Sequence, residues 1–146
     1  MTVRIVPLEA WHFDAIDLQE AQQVLRPMLH NDTYRDDLLQ RSVAFTAIDD
    51  TVIAIAGVAL AWPGREVAWS LLSDCGPRSF LKIHRAVKEF LNDRQTRRIE
   101  MTVDADHDKA GRWARLLGFQ VEGYMQAYTP DGRDAVLYAR VRDERG

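Results

Sequence analysis

Residues 73–80 carry the makings of an anion seat. Ser73-Asp74-Cys75-Gly76 follows an apolar, β-branched run, and Pro77 stands where a helix admits proline, in its first turn. The amides of Arg78, Ser79 and Phe80 would then have no partner inside the helix. Gly76 lets backbone approach a ligand, and the Arg78 guanidinium adds positive charge. Such an arrangement suits a phosphate. The alternative is an ordinary capped helix start that binds nothing.

Groups able to move protons are few. Glu66 and Glu100 fall on two apolar runs that read as central strands. A carboxylate facing a dry cleft has a raised pKa and accepts a proton near neutral pH. Asp104 and His107 are further candidates for a base, and Tyr124, Tyr128 and Tyr138 for an acid. Each also has a plain reading: solvent-facing charge for the carboxylates, amphipathic sheet residue for the tyrosines. Asp104-Ala105-Asp106-His107-Asp108 resembles a metal cluster, yet it reads better as an acid-rich helix start. No second histidine stands at ligand spacing and Cys75 is the only cysteine, so no metal site is expected. A thiol at a helix start is also a candidate reactive group, against the plainer reading of a small buried filler.

The elements that must position these groups follow from periodicity. Thr2–Val6 alternates as a strand. Leu8, Trp11, Ala15, Ile16, Leu18, Ala21, Val24, Leu25, Met28 and Leu29 recur at helical spacing, with Pro27 expected to kink or end the helix. A short helix around Tyr34–Leu39 is next. Ser42–Ile48 and Thr51–Trp62 read as hairpin strands, the second buried on both faces, with Gly57 marking a bulge or a close backbone approach. Strand Val67–Leu72, a helix from Pro77 to about Asn92, strand Arg98–Val103 and a helix ending at Gly118-Phe119 follow. Gln120–Tyr128 and Ala135–Val141 close the chain as a hairpin around Thr129–Arg133, with residues 143–146 as a loose tail. The result is one α+β domain over residues 1–146, with helices flanking a mixed sheet.

This order resembles the GCN5-related N-acetyltransferase superfamily, and more loosely acyltransferase-like proteins encoded by phages. The family's last helix carries Asn-x-x-Ala-x-x-Leu/Phe-Tyr-x-x-x-Gly-Phe. Here Ala110, Trp113, Gly118 and Phe119 match in that register, His107 stands in place of the asparagine, and Val121-Glu122-Gly123-Tyr124 resembles the family's continuation. The resemblance implies a GNAT-like acyl-CoA N-acyltransferase fold and acetyl-CoA as co-substrate. It implies that strands Val67–Leu72 and Ile99–Val103 splay and admit the pantetheine arm. The arm would pair with backbone around Leu71 and Leu72, enter beside Ser73, and meet His107, Ala110 and Trp113. Two departures stand out. The family's phosphate loop, Gln/Arg-x-x-Gly-x-Gly/Ala, is here Arg78-Ser79-Phe80-Leu81-Lys82-Ile83. Its tyrosine, which protonates the departing thiolate, is here Ala114.

Composition narrows the function classes. A chain 47% hydrophobic and 28% charged can bury a core and dissolve, and a net charge of −3 attracts neither nucleic acid nor an anionic membrane. No apolar run is long enough for a spanning helix, and the N-terminus lacks a signal-peptide core, so a cytoplasmic protein is expected. The leading expectation is acetyl transfer from acetyl-CoA to an amine acceptor, with Glu66, Glu100 and Tyr124 as catalytic candidates. The alternatives are a catalytically degenerate structural or interaction protein of the same fold, such as a phage virion component, and a regulator that binds the nucleotide without turnover.

Overall fold

Val52 through Val58 are all buried, and that run sets the centre of the molecule. A strand with no exposed face must be covered on both sides. The computed structural model describes residues 2–142; the expected tail, residues 143–146, lies outside them. Strands β1 (Arg4–Pro7), β2 (Ser42–Asp49), β3 (Thr51–Trp62), β4 (Arg65–Leu72), β5 (Arg98–Asp104), β6 (Gln120–Met125) and β7 (Ala135–Val141) form one sheet in the order β1-β2-β3-β4-β5-β7-β6. All neighbours are antiparallel except β4 and β5, which are parallel. The mixed sheet and element order are those expected.

Two helix layers cover the sheet. On one face α4 (Pro77–Asp93) and α5 (Asp108–Leu116) bring Ile83, Val87, Leu91, Trp113 and Ala114 onto Phe45, Ala54, Ala56 and Val58. On the other, α1 (His12–Ala15), α2 (Arg26–Leu29) and α3 (Asp32–Arg41) accompany a core of Phe13, Ile16, Leu18, Leu29, Val52, Ile55 and Leu71. Helix α5 ends as its sequence requires. Gly118 adopts φ +94°, Phe119 N–H reaches Ala114 O and Gly118 N–H reaches Arg115 O, the double bond pattern of a left-handed stop.

Two expectations need correction. The early periodic stretch is not one kinked helix. Ile16 is extended, and a 3-10 turn (Glu20–Leu25) separates α1 from α2. Pro27 lies in the first turn of α2, where its missing N–H costs nothing. The Arg26 guanidinium binds the carbonyls of Phe13 and Ile16, satisfying the break. The apolar period survives because these pieces all face one side of the sheet. Strand β6 also stops at Met125 rather than Tyr128. Ala127 turns to φ +50°, and its N–H is held by Asp134 Oδ1 at 2.9 Å, which widens the loop.

Candidate functional site

The two parallel strands part soon after they meet. Pairing runs Arg65↔Arg98, Glu66↔Ile99, Val67↔Glu100 and ends there, while β4 continues to Leu72 and β5 to Asp104. The gap opens toward the carboxyl ends of both strands, beneath the start of α4. Just past the last pair, under the C-terminal half of α4, lies a cavity of about 30 Å³ lined by Ala68, Ser70, Met101, Phe90, Trp113 and Phe119 among others. Its walls are almost entirely apolar, as a channel for an aliphatic arm would be.

Backbone alternation decides which groups of β4 face the gap. Ser73 N–H donates to Ile53 O of β3 at 2.9 Å, and its hydroxyl donates to the same carbonyl. Residues of that parity, Leu71 included, therefore turn their amides toward β3. Ser70 and Leu72 turn theirs toward the gap. The expected pairing at Leu71 is thus corrected to Ser70, and Ser73 is committed to β3. Two residues that sequence reasoning passed over meet this edge. Gln22 Nε2 donates to Ser70 O at 2.8 Å, Leu72 N–H donates to Gln22 Oε1 at 2.8 Å, and Gln19 N–H donates to Leu72 O at 2.8 Å. Gln19 and Gln22 belong to a polar stretch with no motif, so periodicity gave no signal for them.

At the start of α4, Gly76 is the N-cap, with no side-chain capping bond and open space around it. Its carbonyl accepts from Phe80 N–H at 3.0 Å, so the expected use of the Phe80 amide is corrected: that donor is spent inside the helix. The amides of Arg78 and Ser79 remain at the tip. The Arg78 side chain is exposed and makes no hydrogen bond or ion pair among the described residues. Ser79 Oγ is 3.5 Å from Asp49 Oδ2. Burial pushes the Cys75 thiol up, opposite to the activated thiol considered from sequence. Cys75 instead packs against the core beneath α4.

The matched residues of α5 sit close to the gap. Trp113 is buried, touches Phe80 edge-on at 5.2 Å and donates from Nε1 to His84 Nδ1 at 3.0 Å. Ala110 packs on the same core, and Ala114 is fully buried. His107 is the N-cap of α5 without a side-chain bond. It lines a second cavity, of about 340 Å³, with Asp104, Arg112, Arg115 and Tyr138.

Two of the expected bases, Glu66 and Glu100, lie elsewhere. Glu66 is held by Arg94, with Nε to Oε1 at 3.2 Å, and by Thr96. Glu100 accepts from Arg65 Nε at 2.7 Å and Arg98 Nε at 2.8 Å, and the Arg65 bond is the main cause holding its carboxyl below the ordinary value. Both belong to the paired end of β4 and β5, not the parted end. Tyr124 is 65% exposed on the edge strand β6, so the structure does not bring it to the gap. Among the described residues, no group of His, Cys, Asp or Glu is placed to hold a metal ion, and no helix is long and apolar enough to cross a membrane.

No protein-family model and no curated protein matches the sequence. Solved structures do match in shape. A ribosomal-protein-S5-alanine acetyltransferase from Vibrio fischeri superposes with TM-score 0.70 at 16% identity, over 97% of this chain and 94% of that one. An N-acetyltransferase from Staphylococcus aureus Mu50 gives 0.71 at 12%, over 97% and 98%. The ribosomal-protein-S18-alanine N-acetyltransferase from Escherichia coli gives 0.67 at 19%, over 99% and 97%. The chain therefore has the fold of the GCN5-related acetyltransferases.

Proposed function

We propose that the protein is an acyl-CoA-dependent N-acyltransferase that acts on an amine. The observation that carries this reading is the parting of β4 and β5 after Val67↔Glu100, directly under the start of α4. An amide-bearing arm needs a strand edge to pair with, an apolar channel, and cationic or N–H groups at its phosphate end. The edge is Ser70 and Leu72; the channel would be walled by Ala68, Met101 and Trp113 and must widen from the present void of about 30 Å³; the phosphate end is the Arg78 and Ser79 amides with the Arg78 guanidinium. Threefold support of this kind is consistent with acetyl-CoA, which would supply an activated thioester.

In this assignment the Ser70 and Leu72 amides of β4, the second once it gives up its bond to Gln22, align the acyl carbonyl and donate to the oxygen that gains charge on attack. Gly76 keeps the approach to α4 clear of side chains. Trp113 and Phe90 line the apolar wall that would exclude water from the channel, and Phe80 packs edge-on against Trp113. Ala110 packs on the same core, and His107 lines the second cavity at the start of α5. The amine acceptor would enter from the face carrying α1, α2 and the loop between β6 and β7.

Isothermal titration with acetyl-CoA tests the reading. Saturable binding is expected, weakened by Arg78→Ala; no heat at millimolar ligand ends it. A second reading, binding without turnover, is favoured by Ala114, which is fully buried and has no proton to give at the position of the family's tyrosine. Release of free thiol in the presence of an amine panel separates the two.

A further inference from the structure

The free edge of β4 is already paired with a side chain of the same protein. Gln22 offers one acceptor and one donor from a planar carboxamide, the same pair of groups that a peptide or a ligand amide offers. The acceptor takes Leu72 N–H and the donor serves Ser70 O, each at 2.8 Å. A ligand amide cannot pair with Ser70 and Leu72 while Gln22 holds them.

We propose that Gln22 is an internal surrogate for the ligand amide, a gate that must swing out before an acyl-CoA arm can pair with β4. The inference rests on the acyl-CoA reading and adds to it a residue that governs access to the same edge. The gate is built to open. It sits in the 3-10 turn Glu20–Leu25, which has no fully buried residue, and the Gln22 side chain can turn without disturbing the packing of Leu25 on the core. The backbone bond from Gln19 N–H to Leu72 O anchors the turn independently, and rotation of the Gln22 side chain alone frees both edge groups. The neighbouring side chains hold the backbone rather than the gate: Gln23 Nε2 donates to Leu18 O at 2.6 Å, and Arg26 binds the carbonyls of Phe13 and Ile16. When a site is occupied by its own surrogate, apparent affinity falls by the fraction of molecules that are open. A gate open in roughly one molecule in ten raises the apparent Kd about tenfold.

The test uses the full chain and the variants Gln22→Ala and Gln22→Met, the second retaining the methylene packing without the amide. In the ligand-free wild type, the Leu72 amide exchanges slowly with solvent and the Gln22 side-chain NH₂ gives a hydrogen-bonded NMR signal. Both variants are expected to speed Leu72 exchange and to bind acetyl-CoA about tenfold more tightly. In the wild type, acetyl-CoA is expected to keep Leu72 protected while the Gln22 signal moves to its solvent position. Leu72 exchange unchanged in both variants overturns the gate. Equal or weaker acetyl-CoA binding by both variants also overturns it and leaves the acyl-CoA reading standing. Absence of binding by all three proteins removes the acyl-CoA reading and ligand exchange together.

Discussion

Trp113 Nε1 donates to His84 Nδ1 across 3.0 Å, and that bond ties α5 to α4 beside the parted strands. The acceptor nitrogen must be free of a proton. Burial, reinforced by the charges of Lys88 and Arg85, holds the His84 pKa below its ordinary value. Folding therefore favours neutral His84. Its contribution is complete above the unfolded pKa, about 6.5, and is lost as pH falls from there through the lower folded value. The urea midpoint is expected to drop between pH 7.5 and pH 5.5. His84→Gln, which keeps an acceptor that does not titrate, should flatten part of that dependence, and Trp113→Phe should cost about 1 kcal/mol at pH 7.5.

His12 pulls in the same direction from the other face. It is fully buried, and its Nδ1 accepts from Glu9 N–H at 3.0 Å and sits 2.7 Å from Thr46 Oγ1. A backbone N–H can only donate, so Nδ1 is unprotonated and Nε2 carries the hydrogen. Burial lowers the His12 pKa, partly opposed by the Glu9 carboxylate 3.8 Å from Nε2. Stability from this group is again present above about pH 6.5 and lost below it. Glu9→Gln should lower the His12 titration midpoint further, read from its ring proton shifts. Thr46→Val should cost about 1 kcal/mol.

Gly57 is the position at which the sheet tolerates least. A Cβ there would lie 2.5 Å from Ala44 Cβ and 2.5 Å from Val43 O, in the middle of β3 opposite its partner Ala44. Neither neighbour is the end of a flexible side chain, so the strands themselves must move. Gly57→Ala is expected to destabilise by about 2–3 kcal/mol in urea unfolding. The same change at Gly76, where nothing lies within 4 Å, should be near neutral for stability.

The fold was legible because its signals are local and strong. The apolar run Val52–Val58, the Pro77 start and the Gly118 stop each dictate one element, and their order leaves few arrangements. The region before β2 was less legible. Leu18 and Leu29 face the same core whether or not a helix joins them, so periodicity reported the shared face and not the break at Ile16. The helix start at Gly76-Pro77 and the apolar face that carries Trp113 were legible in outline. Gln22 was not, because its role depends on the backbone parity of β4, which only pairing with β3 determines. Glu66 and Glu100 misled for a related reason: their strands were right, but arginines from distant positions meet them in space.

Those arginines lead to the last prediction. Glu100 lies between Arg65 and Arg98, and Arg98 also grips Glu122. A carboxylate committed to two guanidiniums is a weak base, since the pKa that measures its basicity is pushed down. The same shift makes it a stabilising group, with a contribution present above its ordinary carboxylate pKa and lost as pH falls through the depressed one. Glu100→Gln is expected to lower stability by about 1–3 kcal/mol while leaving acetyl transfer per folded molecule within about twofold. Glu66→Gln, which weakens the hold of Arg94 and Thr96, should behave alike. Turnover measured beside urea unfolding separates the roles: a loss of roughly a hundredfold in rate at unchanged stability would restore either carboxylate as the base.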